Sequence, residues 1–202
     1  MNLINRLVYD VRDIYSIREL VESSAELYPD NPAFARRIGR DIEYISFSEA
    51  FSDIKALATY LNSLGLENSK IAVIGKNSYE WSVTYLAVCS GCGVIVPFDK
   101  ELKNAEIEYL AKDSGISAIV YSDDVASKLT GLPERIIGVP MSSFAEALNR
   151  GRELMEDGDD SYSRHVVNPN GLGVLIYTSG TTGLAKGVML SQRNICFDIM
   201  SV

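Results

Sequence analysis

At 202 residues the chain is long enough to fold as one large domain or two small ones without covalent staples. Its 47% hydrophobic and 23% charged residues, with 6 prolines, exclude the disordered and collagen-like classes. Nineteen Lys and Arg against 27 Asp and Glu leave a net charge of −8 with no basic stripe, which excludes a nucleic-acid partner on electrostatic grounds. The start Met1-Asn2-Leu3-Ile4-Asn5-Arg6 shows no charged-then-apolar leader, and three cysteines make no disulfide framework. A reducing, cytoplasmic compartment is expected.

Ser16 with Glu19 forms a capping box that opens a helix, and Ile17, Leu20, Val21, Ala25 and Tyr28 recur on one face until Pro29. Two short β-rich pieces, Ala33–Ile38 and Ile42–Phe47, flank Gly39-Arg40-Asp41, where a hairpin turn is expected. A second box, Ser46 with Glu49, starts a helix that buries Phe51, Ile54, Leu57, Ala58, Leu61 and Leu64 and ends at Gly65.

From Lys70 strands and helices alternate: strand Ile71–Ile74, helix Tyr79–Ser90, strand Val94–Phe98, helix Ala105–Ser114, strand Ala118–Tyr121, a short helical piece, strand Ile136–Val139, and a helix over Ser142–Met155. This rhythm predicts an α/β fold with a doubly wound, mostly parallel sheet flanked by helices. Ligands in such sheets sit at the carboxyl ends of strands, so the loops after Ile74, Phe98 and Tyr121 are candidate site walls. Trp81 to Phe98 runs eighteen residues without a charge, the nominal length of a membrane span. Gly91, Gly93, Pro97 and the β-branched Val94-Ile95-Val96 divide it into a helix and a strand instead.

Glu153–Asp160 carries five acids around Gly158 and is expected to be a solvated connector; it lacks the glycine register and the later glutamate of an EF-hand. The chain therefore divides into a helix and hairpin entry region (1–69), a βα sheet (70–152), an acidic connector (153–170), and a final strand–loop–strand with a helix (171–202).

That last region concentrates the chemistry. An apolar strand, Val174-Leu175-Ile176-Tyr177, runs into Thr178-Ser179-Gly180-Thr181-Thr182-Gly183-Leu184-Ala185-Lys186-Gly187, and Val188-Met189-Leu190 follows. Ten residues hold four hydroxyls, three glycines and a lysine. Glycines let backbone N–H groups approach an anion, hydroxyls add adaptable donors and the lysine adds a point charge, so the pattern fits a polyphosphate. A Walker loop is excluded, because Lys186 lies between Ala185 and Gly187 rather than between Gly and Ser or Thr. Gly171-Leu172-Gly173 lacks the third glycine of a dinucleotide fingerprint. A ligand-free hairpin turn is the competing reading of the same composition.

The stretch from Tyr177 to Val188 resembles the signature phosphate loop of the adenylate-forming (AMP-binding) superfamily, which includes acyl-CoA synthetases, luciferases and peptide-synthetase adenylation domains. Ile45-Ser46-Phe47-Ser48-Glu49, and Tyr85-Leu86-Ala87 running on to Gly93–Asp99, agree with it in order. Asn77-Ser78-Tyr79-Glu80-Trp81 is similar to the long-chain acyl-CoA synthetase branch. Ala185 departs from the family's usual proline, which frees φ there.

The resemblance implies that Ser179, Gly180, Thr181, Thr182, Gly183 and Lys186 cradle the β- and γ-phosphates of ATP, that Thr178 lies near Mg²⁺, and that Lys186 acts catalytically. The implied reaction joins a carboxylic acid, expected to be a fatty acid, to coenzyme A through an acyl-adenylate. An amino-acid or aryl-acid adenylation domain is the alternative within the superfamily, and a non-catalytic nucleotide-binding or interaction module the alternative outside it. Family members are much longer, so the isolated chain is expected to be a fragment inactive in ligation. Peripheral membrane contact stays open.

Three remaining groups are read blandly. Cys89, Cys92, Cys196 and His165 could supply a Cys₃His zinc set, but their irregular separations favour buried apolar thiols. His165 follows the acidic connector and is expected on the surface. Asp99 is expected to cap a helix, with a site-wall acid as the alternative.

Overall fold

A computed structural model describes residues 12–178 and 185–201. The chain opens with helix α1 (Ile17–Leu27), capped by Ser16 Oγ, which accepts from Glu19 N. Tyr28, expected on its inner face, instead ends the helix and is exposed, its ring 6.4 Å from that of Phe47. Strands β1 (Pro32–Ile38) and β2 (Asp41–Ser46) pair antiparallel around the expected turn, with Ile38 opposite Asp41. The Ser46–Glu49 box then starts α2 (Phe47–Ser63), with both reciprocal bonds formed.

The main sheet has six strands: β3 (Ser69–Ile74), β4 (Gly93–Phe98), β5 (Ala118–Tyr121), β6 (Ile137–Pro140), β7 (Leu172–Thr178) and β8 (Lys186–Ser191). Their order is β6-β5-β3-β4-β7-β8; the first five run parallel and β8 returns antiparallel to β7. Helices α3 (Tyr79–Gly91) and α4 (Asn104–Ser114) follow β3 and β4. A 3₁₀ segment, Asp123–Leu129, follows β5. Beyond β6 comes α5 (Phe144–Glu156), then the single turn α6 (Ser161–Arg164), and α7 (Gln192–Met200) follows β8. The Trp81–Phe98 stretch is thus a helix and a strand, and no helix among the described residues is long and apolar enough to cross a membrane.

Strand alternation makes two cores. Ile71 and Val73 of β3 face α1, α2, α3 and α5 with Ile95, Val120 and Val174, whereas Ala72 and Ile74 face α4 with Val96, Phe98, Ile119 and Leu175. Side chains on both faces are buried, which is why these strands read as continuous apolar runs.

Three expectations are corrected. The Ser142–Met155 helix begins with a 3₁₀ turn at Met141–Ser143 and becomes α-helical only at Phe144. Glu153 and Glu156 belong to α5, so the acidic stretch is a helix end followed by a turn rather than a connector throughout. Asp99 caps no helix: its Oδ1 accepts from Glu101 N at 2.9 Å in a local turn, and Lys103 occupies the N-cap of α4.

Candidate functional site

The parallel strands end level with one another: Ile74 lies opposite both Phe98 and Tyr121, and Tyr121 lies opposite Pro140. At this carboxyl edge the last pair of the β7–β8 ladder is Thr178 with Lys186, both exposed. The backbone therefore brings the two ends of the hydroxyl- and glycine-rich segment together at the edge where ligands of open α/β sheets bind. Ser179, Gly180, Thr181, Thr182 and Gly183 lie outside the described residues.

The loops after β3 and β5 meet beside this edge. Ser122 N continues the ladder by donating to Ile74 O at 3.0 Å, and Ser122 Oγ donates to Asp124 Oδ1 at 2.5 Å. Lys76 Nζ stands 3.3 Å from Asp124 Oδ2. The Ser122 hydrogen bond, with Lys76 behind it, holds the Asp124 carboxyl below its ordinary value. Lys76 and Asp124 were not singled out in the sequence, although their position just past two predicted strand ends was a signal for them. A groove of about 620 Å³ lined by Tyr60, Gly138, Pro140, Ala147, Arg150 and Glu153 flanks β6 and includes neither Thr178 nor Lys186.

A magnesium ion takes oxygen ligands and keeps several waters. Thr178 offers one neutral, exposed hydroxyl, and among the described residues no three His, Cys, Asp or Glu side chains gather to hold a metal. Among the described residues Thr178 could offer such an ion one oxygen, the others coming from a bound polyphosphate and water, and the ion would neutralise phosphate charge.

The cysteines are buried. Cys89 lies in α3 and Cys92 caps its end, Cys92 Sγ donating to Ala58 O at 3.5 Å, and burial pushes both thiols far above their usual range. His165 is not on the surface as expected: it is 7% exposed, because Arg18 reaches from α1 across the chain to pin its segment. Arg18 donates to the carbonyls of Ser90 at 2.7 Å, His165 at 2.8 Å and Tyr162 at 2.5 Å, and its guanidinium lies 4.6 Å from the Tyr162 ring centre.

A level carboxyl edge on a doubly wound sheet, with the β7–β8 pair closing on Thr178 and Lys186 beside it, defines an α/β protein of the open-sheet class. Residues 21–202 match the family described as AMP-binding enzyme, and the chain belongs to that family. It is 29% identical over 197 residues to the long-chain-fatty-acid–CoA ligase ACSBG2 of Mus musculus, covering 89% of this chain and 30% of that one. It is 31% identical over 179 residues to bacitracin synthase 2 of Bacillus licheniformis, covering 88% of this chain and 6% of that one. The fold superposes on the crystal structure of VinN with a TM-score of 0.81 at 22% identity, over 95% of this chain and 47% of VinN. The chain thus spans under a third of these two curated relatives.

Proposed function

We propose that this chain supplies the nucleotide-phosphate wall of an ATP-dependent acid:thiol ligase that acts on a fatty acid. In the reaction a carboxylate oxygen attacks the α-phosphorus of ATP, the bond to pyrophosphate breaks, and an acyl-adenylate forms. The thiolate of coenzyme A then attacks the acyl carbon and AMP leaves. Lys186 contributes a positive charge to the departing phosphates, Ser179, Gly180, Thr181, Thr182 and Gly183 cradle the β- and γ-phosphates, and Thr178 binds the Mg²⁺ that accompanies ATP. Such chemistry is mainly positioning and charge neutralisation, which suits a donor-rich loop at a fixed mouth.

The observation that carries this reading is the Thr178–Lys186 pair at the carboxyl edge, which brings the two ends of the hydroxyl-rich segment together where open α/β sheets bind ligands. Family membership and the ligase relative support it. The same reading puts the protein in the cytoplasm, where Cys89, Cys92 and Cys196 stay reduced.

Carboxylate-dependent exchange of labelled pyrophosphate into ATP, run on the protein in its natural length with fatty, aryl and amino acids, tests the reading. Fatty acids should support exchange, and Lys186→Ala should reduce it by two orders of magnitude or so, on the scale of losing one charged transition-state contact. Exchange with no acid would sink the proposal. Exchange with amino acids alone would favour the adenylation-domain reading, which the similarity to bacitracin synthase 2 supports.

A further inference from the structure

Outside the residues given roles above, one side-chain pair stands next to the Thr178–Lys186 rung. We propose that Tyr177 and Asp113 form an anchor that positions the Thr178–Lys186 rung for nucleotide binding, Tyr177 acting as a positioning residue rather than a ligand. This inference rests on the ATP reading above and names what holds that site in place.

Tyr177 immediately precedes Thr178 in β7, and its hydroxyl donates to Asp113 Oδ2 of α4 at 2.6 Å across 64 positions of sequence. Its ring meets Phe98 of β4 edge-on, with centroids 6.4 Å apart at 69°. On the neighbouring strand, a Cβ placed on Gly187 would come within 3.4 Å of Tyr177 Cε1 and 3.0 Å of Leu175 Cδ1. A side chain there would crowd Leu175 and rest against the ring, so β8 runs close beside both. One side chain therefore ties together β4, β7, β8 and α4, next to the mouth of the loop.

Asp113 points the same way on independent grounds. It lies in the last turn of α4, where the exposed carbonyls of the helix end disfavour an anion. Local preference would place a cation there, as at Lys112. A residue that breaks a local rule marks a site where a longer-range demand has won, and the contact Asp113 makes in exchange is the Tyr177 hydroxyl. Burial, reinforced by the Asp113 bond, pushes the phenol far above its ordinary value, so it remains a donor at any physiological pH.

The anchor matters because Thr178 and Lys186 face each other as the last rung of the ladder. Without the hydroxyl, the end of β7 keeps only its ladder to β8 and ring packing, and the rung can splay. Small displacements of a positioned charge cost binding steeply.

The test uses Tyr177→Phe, Asp113→Asn, Asp113→Ala and the double variant Tyr177→Phe/Asp113→Ala, each in the protein at its natural length. ATP affinity, the KM for the acid, and hydrogen exchange at the amides of Tyr177, Thr178 and Gly187 are measured. Tyr177→Phe and Asp113→Ala should each weaken ATP binding about tenfold, the effect of losing one charge-assisted hydrogen bond. They should leave the acid KM unchanged and speed exchange at the three amides. Asp113→Asn, which keeps an oxygen acceptor, should retain most of the affinity, and the double variant should be no worse than either single one.

Wild-type ATP affinity or unchanged exchange in the single variants would overturn the anchor. So would additive losses in the double variant, or equal losses for ATP and acid. A wild-type protein that binds no ATP would instead overturn the functional reading, with the exchange data still reporting whether the pair holds the end of β7.

Discussion

Arg18 shows how one side chain can organise a region without leaving a signal in the sequence. Three carbonyls on α3, α6 and the segment beyond converge on its guanidinium, and the strand-bound half of the chain is thereby tied to α1. His165 is buried as a result, with Nδ1 finding no hydrogen-bond partner among the described residues. Burial is the main cause that lowers its basicity, the Arg18 charge adds to it, and Glu67 opposes both. The folded protein thus binds a proton at His165 less readily than the unfolded chain does. The corresponding stability is fully present above the unfolded value of about 6.5 and is lost as pH falls below it toward the folded value. Urea unfolding midpoints should fall between about pH 7 and pH 5, and His165→Gln should flatten that part of the profile. Parallel profiles for the two proteins would show that His165 is not the responsible group.

Among the elements, those announced by their own side chains were legible in advance. Ser16 and Ser46 cap α1 and α2 as their spacing predicts, and in the structure Ser191 caps α7 and Ser78 caps α3, the latter accepting from Trp81 N at 3.2 Å. Contacts that depend on distant partners were not. Gln192 carries no local signal, yet its Oε1 accepts from Ile17 N at 2.9 Å and its Nε2 donates to Cys89 O at 2.6 Å, joining α7 to α1 and α3. The packing of α5 on α2 is a further case. Gly151 sits inside a helix, where glycine costs up to about 1 kcal/mol relative to alanine, but a Cβ there would collide with the carbonyl of Ala56. Helix propensity therefore predicts that Gly151→Ala stabilises, and packing predicts the reverse. Packing should win, with a loss of about 1–3 kcal/mol as α5 is forced away from α2, read from equilibrium unfolding in urea. A stabilised variant would mean that the two helices can separate freely.

For the molecule as a whole, alternation and length were enough to predict a doubly wound sheet, but not its strand order. Each parallel crossover can place the next strand on either side of the last, and nothing local in Ala118–Tyr121 says that β5 lies beside β3 rather than β4. The candidate site was legible in part for the same reason: Thr178 and Lys186 follow from the motif's own residues, whereas Lys76 and Asp124 reach the edge, and Asp113 reaches Tyr177, only through the topology.

That topology also separates the two cores, since Ile54 of α2 belongs to the cluster on one face and Ile107 of α4 to the cluster on the other, with the sheet between them. Both side chains are buried, at 2% and 0% exposed. Shortening either to valine removes one methyl group and should cost about 1 kcal/mol. Because no side chain is shared between the two positions, the double variant Ile54→Val/Ile107→Val should lose the sum of the two to within about 0.5 kcal/mol in urea unfolding. A coupling clearly larger than that would mean that the sheet transmits strain between its faces, so that packing changes on the α2 side would reach the α4 side that anchors Tyr177.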